Sequence, residues 1–445
     1  MSVRSRIALI RFGHGLRLGE APPANPEAWL GAQLATPGPP PEGPSVAEAL
    51  RARATQNAMR DAALMQAAPG APAATPAAPA QRGPMAQLIR AESIAWAARR
   101  LTTAEPFRER LVDFWMNHFT VSRRSGTTAP LPGTFERDAI RPHLTGRFAD
   151  MMVAAALHPA MLIYLDNIGS VGPNSPFGQR RNRGLNENLA REVLELHSLS
   201  PAGGYTQGDV QELAKILTGF TVVTDQEPFA FVFRPQTHEP GDKQVLGRRF
   251  GEGQAAAEAA LRMLGTHPAT YRHLAVKLAR HFVADQPPPE ATRALERVLQ
   301  DSGGDLGAVS RALIRLPQTW EKPLGKFRSP IDYVIAGYRA LGLPPERADA
   351  LVGALFGLSQ PLWTAPQPIG WPDMAADWAT PEAMMRRVDW AYTATGRFNQ
   401  ADPGAVTEAA LGPFARAETV AAMRGAGSVR DALTLLLGSP EFMYR

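Results

Sequence analysis

The sequence predicts a mainly α fold, a large multi-helix globular domain with one small β-hairpin around 229–250. Three observations carry this. Apolar residues recur three and four apart through most of the chain. Charged residues make up 20% and hydrophobic ones 44%, the balance of an ordinary folded chain. Alternating aromatics appear in one stretch only, PFAFVFRPQTHEPGDKQVLGRRF. At 445 residues the chain is long enough to bury a substantial core.

The elements follow in order. Residues 1–84 form an N-terminal segment whose Pro-, Ala- and Gly-rich stretches, 21–45 and 66–84, bury too little side chain to offset their ordering entropy and read as mobile loops. Between them 45–65 is helical, with Val46, Leu50 and Ala54 spaced by four and Ser45 placed to cap the first turn. Residues 85–225 form a helical core with helices at 85–103, 105–121, 134–140, 147–157, 186–199 and 206–219. The last is the clearest: Thr206 and Asp209 make a capping-box pattern, Val210, Leu213, Ala214 and Leu217 share a stripe, and Gly219 supplies the stop. In 226–253, Phe229, Phe231 and Phe233 alternate, turn residues follow, and Val245 to Phe250 return as the second strand. The C-terminal region, 254–445, is helical again at 255–264, 268–284, 289–302, 305–316, 330–341, 346–357, 380–397 and 428–437. The whole reads as one continuous domain.

Charge and composition exclude several partners. The net charge of +5 comes from 47 basic and 42 acidic residues, spread out rather than gathered in a stripe, so nucleic acid is not the expected partner. The cations are 5 Lys and 42 Arg. Where Arg is the default, a surviving Lys marks a place that suits a compact ammonium, which draws attention to Lys243 and Lys277. Zero Cys rules out disulfides, thiolate metal sites and cysteine nucleophiles. The opening run Ile7 to Ile10 falls short of a signal-peptide core of roughly 7–15 residues or a membrane span of about 20. The expected location is the cytoplasm as the chain is written, or the periplasm if a leader is missing, with no membrane contact.

The densest polar constellation lies in NENLAREVLELHSL, 186–199. On a wheel of about 100° per residue, Leu185, Leu189, Ala190, Val193, Leu194 and Leu196 fill one arc; Glu187, Asn188, Arg191, Glu192 and Glu195 fill the other. Glu192 and Glu195 project together, the geometry that offers two carboxylates to one divalent cation or to acid/base work, and equally the geometry of a solvated face. His197 falls in the apolar arc and reads as a core histidine making one hydrogen bond. In DFWMNHF, 113–119, Asn117 and His118 sit among Phe114, Trp115 and Phe119, so they either hold the core together or line a cleft. The turn HEPGDK, 238–243, gathers a His, acids and a Lys that could bind a metal or an anion. His158, before Pro159, reads as a helix-terminal histidine. No phosphate loop, HExxH pair or nucleophile elbow is present.

These motifs carry a resemblance. WMNHF at 115–119, AMLIYLDN at 160–167, NENLAREVLE at 186–195, GYTQGDV at 204–210 and LTG at 217–219 resemble the domain-of-unknown-function 1800 family, uncharacterised bacterial proteins. The likeness continues through KLARHFVADQPPP at 277–289 and GWPD at 370–373 to SPEF at 439–442. Ser200, Phe220 and Glu239 depart from the pattern, which usually has Gly, Trp and Asp there. The resemblance implies that Asn117, His118, Asn167, Asn188, Arg191, Glu192, Glu195, His238 and Lys243 meet in space. It also suggests a partner protein encoded by a neighbouring gene.

Two functional readings stay open. The first is an enzyme whose polar site holds a divalent metal ion through His118, Glu192, Glu195 and His238, with Asn117, Asn188, Arg191 and Lys243 as further catalytic candidates. The second is a non-catalytic binding or scaffold module whose polar network is structural.

Overall fold

A computed structural model describes residues 2–35, 40–66, 83–181 and 184–445. Most of the expected loop 66–84, and residues 36–39 of the other, lie outside the described residues. Helices dominate the rest, and the longer ones are labelled here in chain order. They are α1 (Val46–Gln66), α2 (Pro84–Thr102), α3 (Pro106–His118) and α4 (Phe148–Ala156), followed by α5, in which Asn188–Glu192 runs into a π-turn, Val193–His197. Then come α6 (Gln207–Ile216), α7 (Gly253–Gly265), α8 (Pro268–Phe282), α9 (Pro289–Asp301), α10 (Leu306–Arg315), α11 (Pro330–Leu341), α12 (Asp349–Gly357), α13 (Pro381–Thr395), α14 (Pro403–Ala410), α15 (Ala417–Arg424) and α16 (Val429–Gly438).

Local chemistry accounts for the boundaries. Thr206 and Asp209 close the expected capping box on α6, and Gly219 then turns the chain out at φ 84°. Ser45 and Glu48 make the same reciprocal bonds at the start of α1. His158 and His267 each precede a Pro and accept the backbone N–H two residues on through Nδ1. Both rings therefore cap helix N-termini, so His158 is helix-terminal as expected but sits at the end where the dipole gives an imidazole cation no favour.

The single hairpin expected over 229–250 is instead two separate ribbons. β1 (Phe220–Val222) pairs antiparallel with β2 (Phe231–Phe233), with Phe220 opposite Phe233. β3 (Lys243–Val245) pairs with β4 (Arg248–Phe250) across Leu246 and Gly247, both at positive φ, as a two-residue turn requires. Pro235 opens a short 3₁₀ turn that ends the aromatic strand, so β2 finds its partner upstream, in the three residues that follow Gly219.

Buried apolar side chains fall into two clusters. The first runs from Ile7 to Trp320 and includes α3, the apolar side of α5, and α6 to α10. The second takes α11 to α16 and draws Trp96, Ala97 and Leu101 from α2. The site lies where the two meet.

Candidate functional site

A cavity of about 490 Å³ opens between the two cores, within the roughly 300–1,000 Å³ range of small-molecule sites. Several elements build it. α3 contributes Asp113, Asn117 and His118; α8 contributes His273, Lys277, Arg280 and His281; the loop before α13 contributes Trp363, Trp371 and Asp373. Glu195, from the π-turn of α5, lines it as well.

At its centre Nζ of Lys277 donates to Nδ1 of His118 at 2.9 Å. Nε2 of the same ring lies 3.2 Å from the carbonyl of His197. A carbonyl only accepts and an ammonium only donates, so these partners fix His118 as the neutral tautomer with its proton on Nε2. The π-turn supplies the acceptors: its last residues leave their carbonyls free of helical bonds, and Leu196 takes His273 Nε2 at 3.2 Å in the same way.

The electrostatics follow from burial and crowded cations. Burial lowers the Lys277 ammonium to about 8, with Asp373 opposing and Arg280 adding to the shift. Burial, then the Lys277 charge, holds His118 well below the ordinary imidazole value, and brings His273 to about 4 and His197 to about 3. Burial pushes the Asp113 carboxyl up to about 6 although Arg100 sits 2.5 Å away. Asp373 behaves oppositely: burial would raise it, but His281, Lys326 and Arg445 outweigh burial and hold it well below the usual carboxylate range. Lys277 itself has no ion pair among the described residues.

The GWPD loop is clamped to α3. Asn117 donates from Nδ2 to the Trp371 carbonyl at 2.9 Å and accepts the Trp371 N–H at 2.8 Å, using both ends of one amide. Gly370 sits at φ 88° so close to α3 that a Cβ there would lie 2.5 Å from the Asn117 carbonyl. Asp332, which also lines the cavity, receives Arg110 at 2.7 Å and Arg445 at 2.9 Å.

The residues expected to meet divide into groups. Asn117, His118 and Glu195 line the one cavity. Glu192 is half-buried and does not line it; burial first, and then Glu195, raise its carboxyl above the ordinary value. Arg191 points out and joins Glu187 and Gln207 at 2.9 and 3.0 Å. Asn188 reaches the Leu165 carbonyl at 3.4 Å, and buried Asn167 ties the carbonyls of Leu217 and Phe220, each at 3.0 Å. His238 lies apart, donating through Nδ1 to Thr218 O at 2.7 Å and accepting Gly253 N–H on Nε2 at 3.0 Å. Lys243 is buried beside it against the Glu239 carbonyl, and Glu239 holds Asn174 with both oxygens. His197 is buried as expected, but among the described residues neither ring nitrogen has a hydrogen-bond partner in place of the one expected.

The metal set therefore does not converge. His118 and His238 each have both ring nitrogens engaged elsewhere, and among the described residues no group of three or more His, Asp or Glu is placed to hold an ion. Sequence reasoning passed over His273, Arg280, Asp113, Asp373 and Trp371. The signal was a polar stripe in α8: His273, Lys277 and Arg280 stand four and three apart, on one helical face.

Fold and cleft define a mainly helical protein with an amine-centred, aromatic-walled site. The chain belongs to the family described as "Protein of unknown function (DUF1800)", whose model matches residues 7–444. No curated protein and no solved structure matches it. Among the described residues no helix is long and apolar enough to cross a membrane.

Proposed function

We propose that this chain is an enzyme that acts on a small molecule in the cleft through the amine of Lys277, with neutral His118 as its proton partner. One observation carries the reading: an amine on a cleft wall, hydrogen-bonded to an unprotonated imidazole nitrogen and with no carboxylate in ion-pair contact among the described residues. Lysines become nucleophiles or bases in such settings because the lone pair is released near neutral pH. With its ammonium at about 8, roughly a tenth of Lys277 is neutral at pH 7. Asp113, at about 6, adds a second group able to exchange a proton in that range.

Acetic anhydride labelling with peptide mapping, from pH 6 to 11, tests this. The groups facing Lys277 are His118, His197, His273, Arg280 and Asp373. Lys277 is expected to label half-maximally near pH 8, against about 10.4 for an ordinary lysine. If it stays unlabelled throughout, or titrates with the ordinary value, the reading fails. The non-catalytic reading draws support from Asn167, His238 and Lys243, whose polar atoms bind backbone and stitch the β-ribbons to the helices. It predicts an inert Lys277 in the same experiment.

A further inference from the structure

We infer that the cleft takes a small oxo acid, with its carboxylate at Arg280 and its carbonyl carbon at Nζ of Lys277, where the two condense to an imine. The inference rests on Lys277 as the reactive amine and adds the substrate class.

The carboxylate is argued from unmatched charge. Lys277 and Arg280 stand three apart on α8 and line the same wall. Among the described residues neither has a carboxylate partner, and Nε of Arg280 is buried without a hydrogen bond. Neighbouring cations are matched: Arg110 by Asp332, Lys326 by Asp285 and Asp373. Two like charges held together with no carboxylate in contact repel, Asp373 offsets this only from beyond ion-pair distance, and an arriving anion removes the remaining cost. A guanidinium presents the fork that pairs with a carboxylate. Trp96, Phe114, Leu362 and Trp371, which line the same cavity, suit an apolar body.

The carbonyl is argued from the amine. Nζ adds to the carbonyl carbon, the C–N bond forms, the C–O bond breaks, and the oxygen leaves as water with both hydrogens of the neutral amine. His118 Nδ1, already hydrogen-bonded to Nζ, takes the first hydrogen. Attack makes Nζ cationic and its N–H acidic, so the hydrogen passes to His118 Nδ1 and from there to the departing oxygen.

The experiment is borohydride trapping on the full chain at pH 8, read by intact mass and peptide mapping. Phenylpyruvate is the probe, and phenylacetone, which has a methyl group in place of the carboxylate, is the control. Wild-type protein is expected to carry a reduced adduct on Lys277 with phenylpyruvate, at least about tenfold above phenylacetone. Lys277→Met is expected to abolish it, and Arg280→Met to remove the preference for the acid. Should either variant fail to fold, protection of wild-type Lys277 by 3-phenylpropionate, an acid without the carbonyl, reads the same anion contact. Equal labelling by both ketones overturns the oxo-acid assignment and leaves the reactive amine standing. No adduct from either, with acetylation still half-maximal near pH 8, overturns the imine alone. An amine inert to acetic anhydride as well overturns both readings.

Discussion

Replacing Lys277 with methionine tests the central claim without a substrate. Met keeps the length and apolar stem of lysine and removes the ammonium. Lowering that group from 10.5 to about 8 corresponds, at about 1.4 kcal/mol per tenfold, to about 3 kcal/mol. The folded value is depressed, so the unfolded chain binds the proton more tightly. The charged amine therefore costs stability in full below about pH 8, and the cost fades as pH rises toward 10.5. Against this gain Lys277→Met loses the hydrogen bond to His118 Nδ1, worth about 1–2 kcal/mol. The net at pH 7 is a stabilisation of about 1–2 kcal/mol. For 445 residues at about 2.1 cal/mol/K each, that raises Tm by about 1–2 °C. Scanning calorimetry of both proteins at pH 7 and pH 10 reads it. The variant is expected to melt higher at pH 7 and to lose or reverse that advantage at pH 10. A variant that melts more than about 2 °C lower at pH 7, or a difference independent of pH, would show that the amine is a structural partner and refute the reasoning.

Three other changes test the polar network in and around the cleft. His238→Ala removes a donor to Thr218 O and an acceptor for Gly253 N–H; urea melts should show a loss of about 2–3 kcal/mol, with Lys277 labelling unchanged. Asp332→Asn leaves Arg110 and Arg445 buried without their charge partner and is expected to cost about 3–5 kcal/mol at pH 7. Burial would raise the Asp332 carboxyl, but Arg110 and Arg445 hold it well below the carboxylate range. Its contribution is present above about pH 4 and is lost as pH falls below that, so the gap to wild type should narrow in acid. Glu192 is raised by burial and by Glu195, so its charged form costs stability at neutral pH. Glu192→Gln is expected to leave Tm unchanged or higher at pH 7 and to gain nothing at pH 4, whereas a lower Tm at pH 7 would mark the carboxylate as a structural partner.

Much of the fold was legible because helix signals are local. The α6 cap and stop, the α1 cap, and the spacing of α7 to α13 depend on residues within a few positions of one another, and the chain folds them as read. The β-ribbons were misread because pairing is not local: Phe220–Val222 is too short to announce a strand until Phe231–Phe233 lies beside it. The acidic face of α5 was drawn on a regular wheel, and the π-turn at Val193–His197 departs from that period.

By itself the sequence determined a large helical chain without cysteine, the family motifs, and the worth of looking at Asn117, His118 and a rare lysine. Only the tertiary structure decided which of those groups share a cavity. It brought Lys277 from α8 to His118 of α3, 159 positions away, and used His238 and Lys243 to fasten a turn. The physical reason is that a side chain's chemistry depends on its desolvation and its neighbours' charges, and both are set by packing between distant segments.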